Sequence, residues 1–202
     1  MTLTSRGPGW PKVKVPDKWD LRYYFLAMHV ASWSKDPRTR VGAVAIGGAD
    51  PRHIALGYNG FPPGIEDLPE RYDDPQTKYL FVQHAERNVL DNANFDLRGG
   101  TLVCTMFPCV ECTKSLISKG ITRLITSEPP EPLPNGEKSW RDTVPAALQM
   151  LREAHVRVTI IDQGEDAPYI PGVREIPAAF KNCRDCLWHS YCSDNEECRH
   201  KK

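Results

Sequence analysis

No stretch of the 202-residue sequence approaches the roughly 18 consecutive apolar residues of a membrane-spanning helix, and Met1 to Lys14 contains no apolar core of the kind secretion signals carry. The expectation is therefore a cytoplasmic protein with no membrane partner. Net charge is missing as well. Lys and Arg total 26 and Asp and Glu total 26, a balance that argues against holding duplex or long single-stranded nucleic acid through phosphate neutralisation. A small anion, by contrast, needs only a local cluster of positive charge. No internal repeat is present, and the length suits one ordinary α/β domain with little left over. Without a secretion signal, the 7 cysteines read as metal ligands or buried thiols before they read as disulfides.

Hydrophobic periodicity divides the chain into three parts. Residues 1–16, with Pro8, Pro11 and Pro16, read as an extended arm; residues 17–163 read as the domain; residues 164–202 form an extension with a cysteine-rich tail. Asp17 is placed to cap a helix over about 18–34 carrying Leu21, Tyr24, Phe25 and Met28 on one face. The apolar runs 41–46 and 53–58 read as two strands whose short link makes them antiparallel. Further strands are expected at 101–105, 121–126 and 156–161, and further helices from His84 to about Asn94, from Cys109 to Lys119 and from Trp140 to near His155. The Pro-, Gly- and Asp-rich segment 59–78 is expected to be an irregular binding loop. Five strands alternating with four helices predict a three-layer α/β/α fold, a mixed sheet with helices on both faces.

The chemistry concentrates in His84-Ala85-Glu86 and Pro108-Cys109-Val110-Glu111-Cys112. Cys109 and Cys112 stand three apart at the start of one expected helix, where the positive helix end favours thiolates, and His84 opens another. Those three residues supply three zinc ligands and leave a fourth position for water, the arrangement of a catalytic site, whereas C-x-x-C alone is equally consistent with a structural zinc. The combined pattern is similar to the signature of zinc nucleobase deaminases. That similarity implies attack of a zinc-activated hydroxide on C4 of cytosine, with Glu86 passing protons to N3 and to the departing amine. Backbone N–H groups near Ala85 are candidates to hold the base, although a small structural residue is an equal reading of Ala85.

Four further segments narrow the resemblance. Ser34-Lys35-Asp36-Pro37 with Arg40-Val41-Gly42-Ala43, Gly57-Tyr58-Asn59-Gly60-Phe61-Pro62-Pro63-Gly64, Thr77-Lys78-Tyr79, and Phe107 before Pro108-Cys109 resemble the deoxycytidylate (dCMP) deaminase family over about residues 19–162. The resemblance implies a cytidine-deaminase-like fold, one catalytic Zn2+, conversion of dCMP to dUMP with release of ammonia, and a role for Asn59 at a sugar hydroxyl. It further implies a homo-oligomer, commonly a hexamer, activated by dCTP and inhibited by dTTP. A 5′-phosphate requires cations, for which Lys35, Arg38 and Arg40 are the candidates, with a solvated charge run as the alternative. Phe107 suits either the base or the core. Gly57, Gly60 and Gly64 allow close approach of backbone to a ligand, or simply make a turn.

The tail lies outside this resemblance. Cys183, Cys186, Cys192 and Cys198 supply four thiols that can enclose a second, structural zinc, at spacings that are not those of a standard finger; a redox-sensitive or disordered tail is the competing reading. Other substrates open at this level are a related or C5-modified cytidine nucleotide, a nucleoside, a free base, or a nucleic-acid strand edited in place.

Overall fold

The computed structural model describes residues 13–14, 16–133 and 139–161. Within them one sheet runs in the order β1 (Val13–Lys14), β6 (Arg157–Ile161), β5 (Arg123–Ser127), β4 (Thr101–Cys104), β2 (Gly42–Ile46) and β3 (Ile54–Tyr58). β2 is antiparallel to both β3 and β4, and the four strands from β4 to β1 are mutually parallel. All five expected strands are present, and the arm adds the sixth by pairing Val13 and Lys14 with Val158 and Thr159.

Alternation along these strands sends side chains to two separate cores. Ala43, Ala45, Leu102, Leu124, Val158 and Ile160 meet Val89 and Leu90 of α4 (Ala85–Asn92), Leu116 of α5 (Val110–Ser118) and Leu151 of α6 (Val144–Glu153). Val44, Ile46, Val103, Ile125 and Ile161 face the other way, onto Tyr24, Phe25 and Met28 of α1 (Lys18–Ala31). A period of two in the strands thus produces the three layers.

The local signals act as expected at α1. Asp17 accepts from the amides of Trp19 and Asp20 at 2.9 and 3.0 Å, and Asp20 accepts from the Asp17 amide at 3.1 Å, closing a capping box. The segment 59–78 departs from the irregular loop its composition suggested, because it holds α2 (Glu70–Asp73) and the start of α3 (Pro75–Phe81). The Asp74-Pro75 pair is a helix start, with the Asp74 side chain accepting from Gln76 and Thr77 amides and Pro75 occupying the first turn. Phe61 stacks on Tyr72 with ring centroids 4.4 Å apart, so the segment has a small core of its own. Trp140 lies in a 3-10 turn, Trp140–Thr143, that leads into α6. The extension 164–202, with Cys183, Cys186, Cys192 and Cys198, lies outside the described residues.

Two glycines set the spacing between layers. A Cβ on Gly42 would lie 2.0 Å from the Ala27 carbonyl oxygen, and one on Gly57 would lie 2.5 Å from the Val89 amide nitrogen. Gly57 therefore serves the close approach of α4 to β3, a packing role, whereas a Cβ on Gly60 would make only ordinary contact with the Tyr58 ring and one on Gly64 would meet open space. Since the atoms opposite Gly57 are backbone, Gly57→Ala is expected to force α4 outward and to destabilise the fold by about 1–3 kcal/mol. A lowered urea midpoint at unchanged slope checks this.

Candidate metal centre

His84 and Cys109 occupy equivalent positions, each the N-cap residue of its helix, α4 and α5. The strand order brings those two helix starts together: β4 leads into Cys109 and pairs with β2, which also pairs with the β3 strand against which α4 packs. The His84 Nδ1 stands 3.6 Å from the Cys109 Sγ and 3.4 Å from the Cys112 Sγ, and all three donor atoms lie within 4.8 Å of one another. Separations of this size suit donors arranged about one ion at ordinary Zn–N and Zn–S bond lengths, and one nitrogen with two sulfurs is a donor set zinc favours.

The electrostatics of the cluster favour a cation. Hydrogen bonding from the Cys112 thiol, opposed by burial and reinforced by His84, draws the Cys109 thiol down to about 4. Cys112, sharing that interaction as the protonated partner and buried, is pushed up. His84 is raised, chiefly by its hydrogen bond to Cys109. The three donors therefore share protons among themselves, and a divalent ion would displace those protons and take their place. Glu86, 4% exposed, is raised to about 7, first by burial and against the opposing pull of His84.

His84, Glu86 and Cys109 line a cavity of about 640 Å³ together with Thr39, Val41, Asn59, Lys78, Tyr79, Val82, Ala85, Met106, Phe107, Ser139, Trp140 and Arg141. Ala85 is fully buried from solvent and Phe107 is 1% exposed, so Phe107 belongs to the core and to the cavity wall at once.

Opposite the metal ligands stands a buried polar hub. Asp36 accepts from the Arg38 and Thr39 amides at 2.9 and 3.0 Å, from Asn59 Nδ2 at 3.2 Å, and pairs with Lys78 Nζ at 2.5 Å. Asn59 Nδ2 also donates to the Thr39 carbonyl at 2.8 Å, while its Oδ1 accepts from the Val41 amide at 2.8 Å. Both amide hydrogens of Asn59 are thus committed to the protein. Burial pushes the Asp36 carboxyl up, but Lys78 and the two amides outweigh it and hold the group below its ordinary 3.8.

The structure brings together His84, Cys109, Cys112, Glu86, Ala85, Asn59 and Phe107, and leaves the expected cationic cluster elsewhere. Lys35 pairs with Asp67 at 2.7 Å on the surface, Arg38 donates to the Asp73 carbonyl, and Arg40 Nε donates to the Asp36 carbonyl at 3.3 Å; none of the three lines the cavity. The residues from the 3-10 turn, Ser139, Trp140 and Arg141, carried no motif, and only their position in space reveals them.

A family model of the cytidine and deoxycytidylate deaminase zinc-binding region matches residues 17–128. A protein described as an uncharacterized deaminase in the luxG 3′ region of Aliivibrio fischeri is 36% identical over 142 residues, covering 70% of this chain and 92% of that protein. The human deoxycytidylate deaminase is 37% identical over 114 residues, and the probable deoxycytidylate deaminase of Drosophila melanogaster 36% over 132. The matches cover 54% and 60% of this chain, and the chain spans 64% of either relative, just under two thirds. Among solved structures, the apo dCMP deaminase of cyanophage S-TIM5 matches with a TM-score of 0.53 and 23% identity over 73% of this chain and 100% of that one, a likeness of fold.

Two outcomes test the site. Cys112→Ser is expected to lose one equivalent of zinc relative to the parent chain, read by metal analysis of purified protein. Asp36→Asn leaves the Lys78 ammonium buried without its partner and should destabilise the fold by about 3–5 kcal/mol at pH 7. Because the folded Asp36 is depressed, its contribution is complete above its unfolded value and is lost as pH falls through the folded one. The stability gap between the two proteins in urea titrations should therefore narrow below about pH 4.

Proposed function

The chain belongs to the family of the cytidine and deoxycytidylate deaminase zinc-binding region, and on that footing we propose that it is a hydrolase converting dCMP to dUMP with release of ammonia. The observation that carries this reading is the placement of Glu86, His84 and Cys109 on the wall of one cavity, with the buried Cys112 completing the donor cluster behind it. At about 640 Å³ the cavity falls within the roughly 300–1,000 Å³ of small-molecule sites and is a fit for a nucleoside monophosphate.

His84, Cys109 and Cys112 are the residues that would hold one zinc ion, which when bound supplies Lewis-acid activation of water for hydrolysis near neutral pH. Glu86 handles the protons. With its carboxyl raised to about 7, both its forms are accessible at neutral pH, so it can take a proton from the attacking water and pass it to N3 of the cytosine ring, then take the proton of the new C4 hydroxyl and deliver it to the exocyclic nitrogen as the C4–N bond breaks and ammonia departs. The Ala85 N–H, in the first turn of α4, is a free helix donor for the base, and a larger side chain there would fill the space the base needs. Phe107 and Val41 present apolar surface to the ring. With both its hydrogens engaged, Asn59 offers the second lone pair of Oδ1, so it accepts from a sugar hydroxyl and does not donate to one.

The same reading includes a homo-oligomer, hexameric as the resemblance implies, with dCTP and dTTP as effectors. Trp33, Tyr79 and Leu80, 47%, 66% and 84% exposed, offer apolar surface for subunit contacts. It also includes a second, structural zinc on Cys183, Cys186, Cys192 and Cys198, and a cytoplasmic setting; among the described residues no helix is long and apolar enough to cross a membrane.

The test is ammonia release from dCMP, CMP, deoxycytidine, cytosine and a cytosine-containing oligonucleotide, repeated with dCTP and dTTP present. dCMP is expected to be preferred, with dCTP raising and dTTP lowering the rate. Glu86→Gln should lose about 10²- to 10⁴-fold in kcat while keeping its zinc. Activity on the oligonucleotide alone, or full activity of Glu86→Gln, overturns the proposal.

A further inference from the structure

A monophosphate carries its charge at the end of the molecule farthest from the base, so the cavity needs a cation away from the metal ligands. Lys78 and Arg141 are the two Lys or Arg side chains on its described wall. The Lys78 charge is already spent, since its ammonium is 2.5 Å from the buried Asp36 carboxylate. Arg141 differs. Its backbone amide donates to Ser139 Oγ at 3.2 Å, but no described residue accepts from its guanidinium, whereas the sequence's phosphate candidates Arg38 and Arg40 are both tied to backbone carbonyls.

Ser139 adds a second group of the same kind. Its oxygen accepts from Arg141, and its hydroxyl hydrogen has no acceptor among the described residues. Asp142, the carboxylate nearest in sequence, is turned back onto the Ser139 amide at 2.8 Å, so it neutralises neither group. The capping box formed by Ser139 and Asp142 fixes the turn that carries Arg141 along the cavity wall.

We propose that Arg141, assisted by the Ser139 hydroxyl, is the phosphate-recognising residue of the cavity and selects the nucleoside monophosphate over the nucleoside. The inference rests on the dCMP reading given above and adds to it a residue beyond the segment, 17–128, that the family model matches. A planar guanidinium matches two phosphate oxygens at once, which a lysine cannot reproduce. Trp140, between the two residues in sequence and also on the wall, lends the sugar and phosphate end an apolar flank.

Arg141→Gln, Arg141→Lys and Ser139→Ala are compared with the parent enzyme in dCMP kinetics and in calorimetric binding of dUMP and deoxyuridine. Arg52→Gln, which removes an exposed cation paired with Asp50 on the β2–β3 turn, controls for net charge. Loss of one charge-assisted contact predicts a fall in kcat/KM for dCMP of about 10- to 100-fold for Arg141→Gln, carried by KM, with dUMP affinity falling in parallel and deoxyuridine affinity unchanged. Arg141→Lys should recover part of the loss, and Ser139→Ala should show a smaller one. A parent enzyme active on dCMP whose Arg141→Gln variant keeps its kcat/KM overturns the assignment and leaves the dCMP reading standing. Equal loss of dUMP and deoxyuridine binding also overturns it, as the mark of a merely structural role. A parent enzyme inactive on dCMP overturns the reading, and the assignment with it.

Discussion

Everything in the site depends on two helix starts being held against each other. The imidazole of His84 and the thiol of Cys109 come from N-cap positions, where the chain turns out of extended backbone and the first amides of each helix have no intrahelical acceptor. Like helix ends repel, since both carry partial positive charge. A thiolate at Cys109 and a carboxyl at Glu86 set negative charge into that region, and the glycine at position 57 lets α4 come close enough for the donors to fall within one coordination sphere.

The cavity then rests on two buried acids in opposite environments. Glu86 is buried beside His84 and Cys109 and is pushed up chiefly by loss of solvent, which makes it a carrier of protons. Asp36 is ringed by two amides, an amide side chain and an ammonium, and is held down, which makes it a permanent anion. That anion organises Thr39, Asn59 and Lys78 on one wall, so the charge of Lys78 is a structural element of the pocket. The division of labour follows from what surrounds each carboxyl and not from the residue type.

Much of this was legible in the sequence because the signals are local. The unbroken apolar run at 41–46, the Asp17 cap, and the three-residue spacing of Cys109 and Cys112 each describe a single element. What could not be read is long-range. The Pro- and Asp-rich composition of 69–75 looked like loop because the signature of a short helix start, Asp-Pro, uses the same residues. Lys35 and Arg38 looked like part of a phosphate cluster because their partners, the Asp67 carboxylate and the Asp73 carbonyl, become neighbours only on folding, while Arg40 turns back onto the Asp36 carbonyl. Arg141 carried no signal at all, since what sets it apart is a place on the cavity wall and a guanidinium with no acceptor among the described residues, which a sequence cannot display.

The pairing of β1 with β6 joins the first described strand to the last, Val13 to Val158. Closing so long a loop costs chain entropy that is recovered only when both strands are in place. The hairpin of β2 and β3, with α4, β4 and α5, spans only residues 42–118 and contains His84, Glu86, Cys109 and Cys112. During synthesis this central block emerges before β5, α6 and β6 exist. The metal ligands and Glu86 thus belong to a block held by contacts close in sequence, whereas the β1–β6 seam depends on residues far apart in the chain.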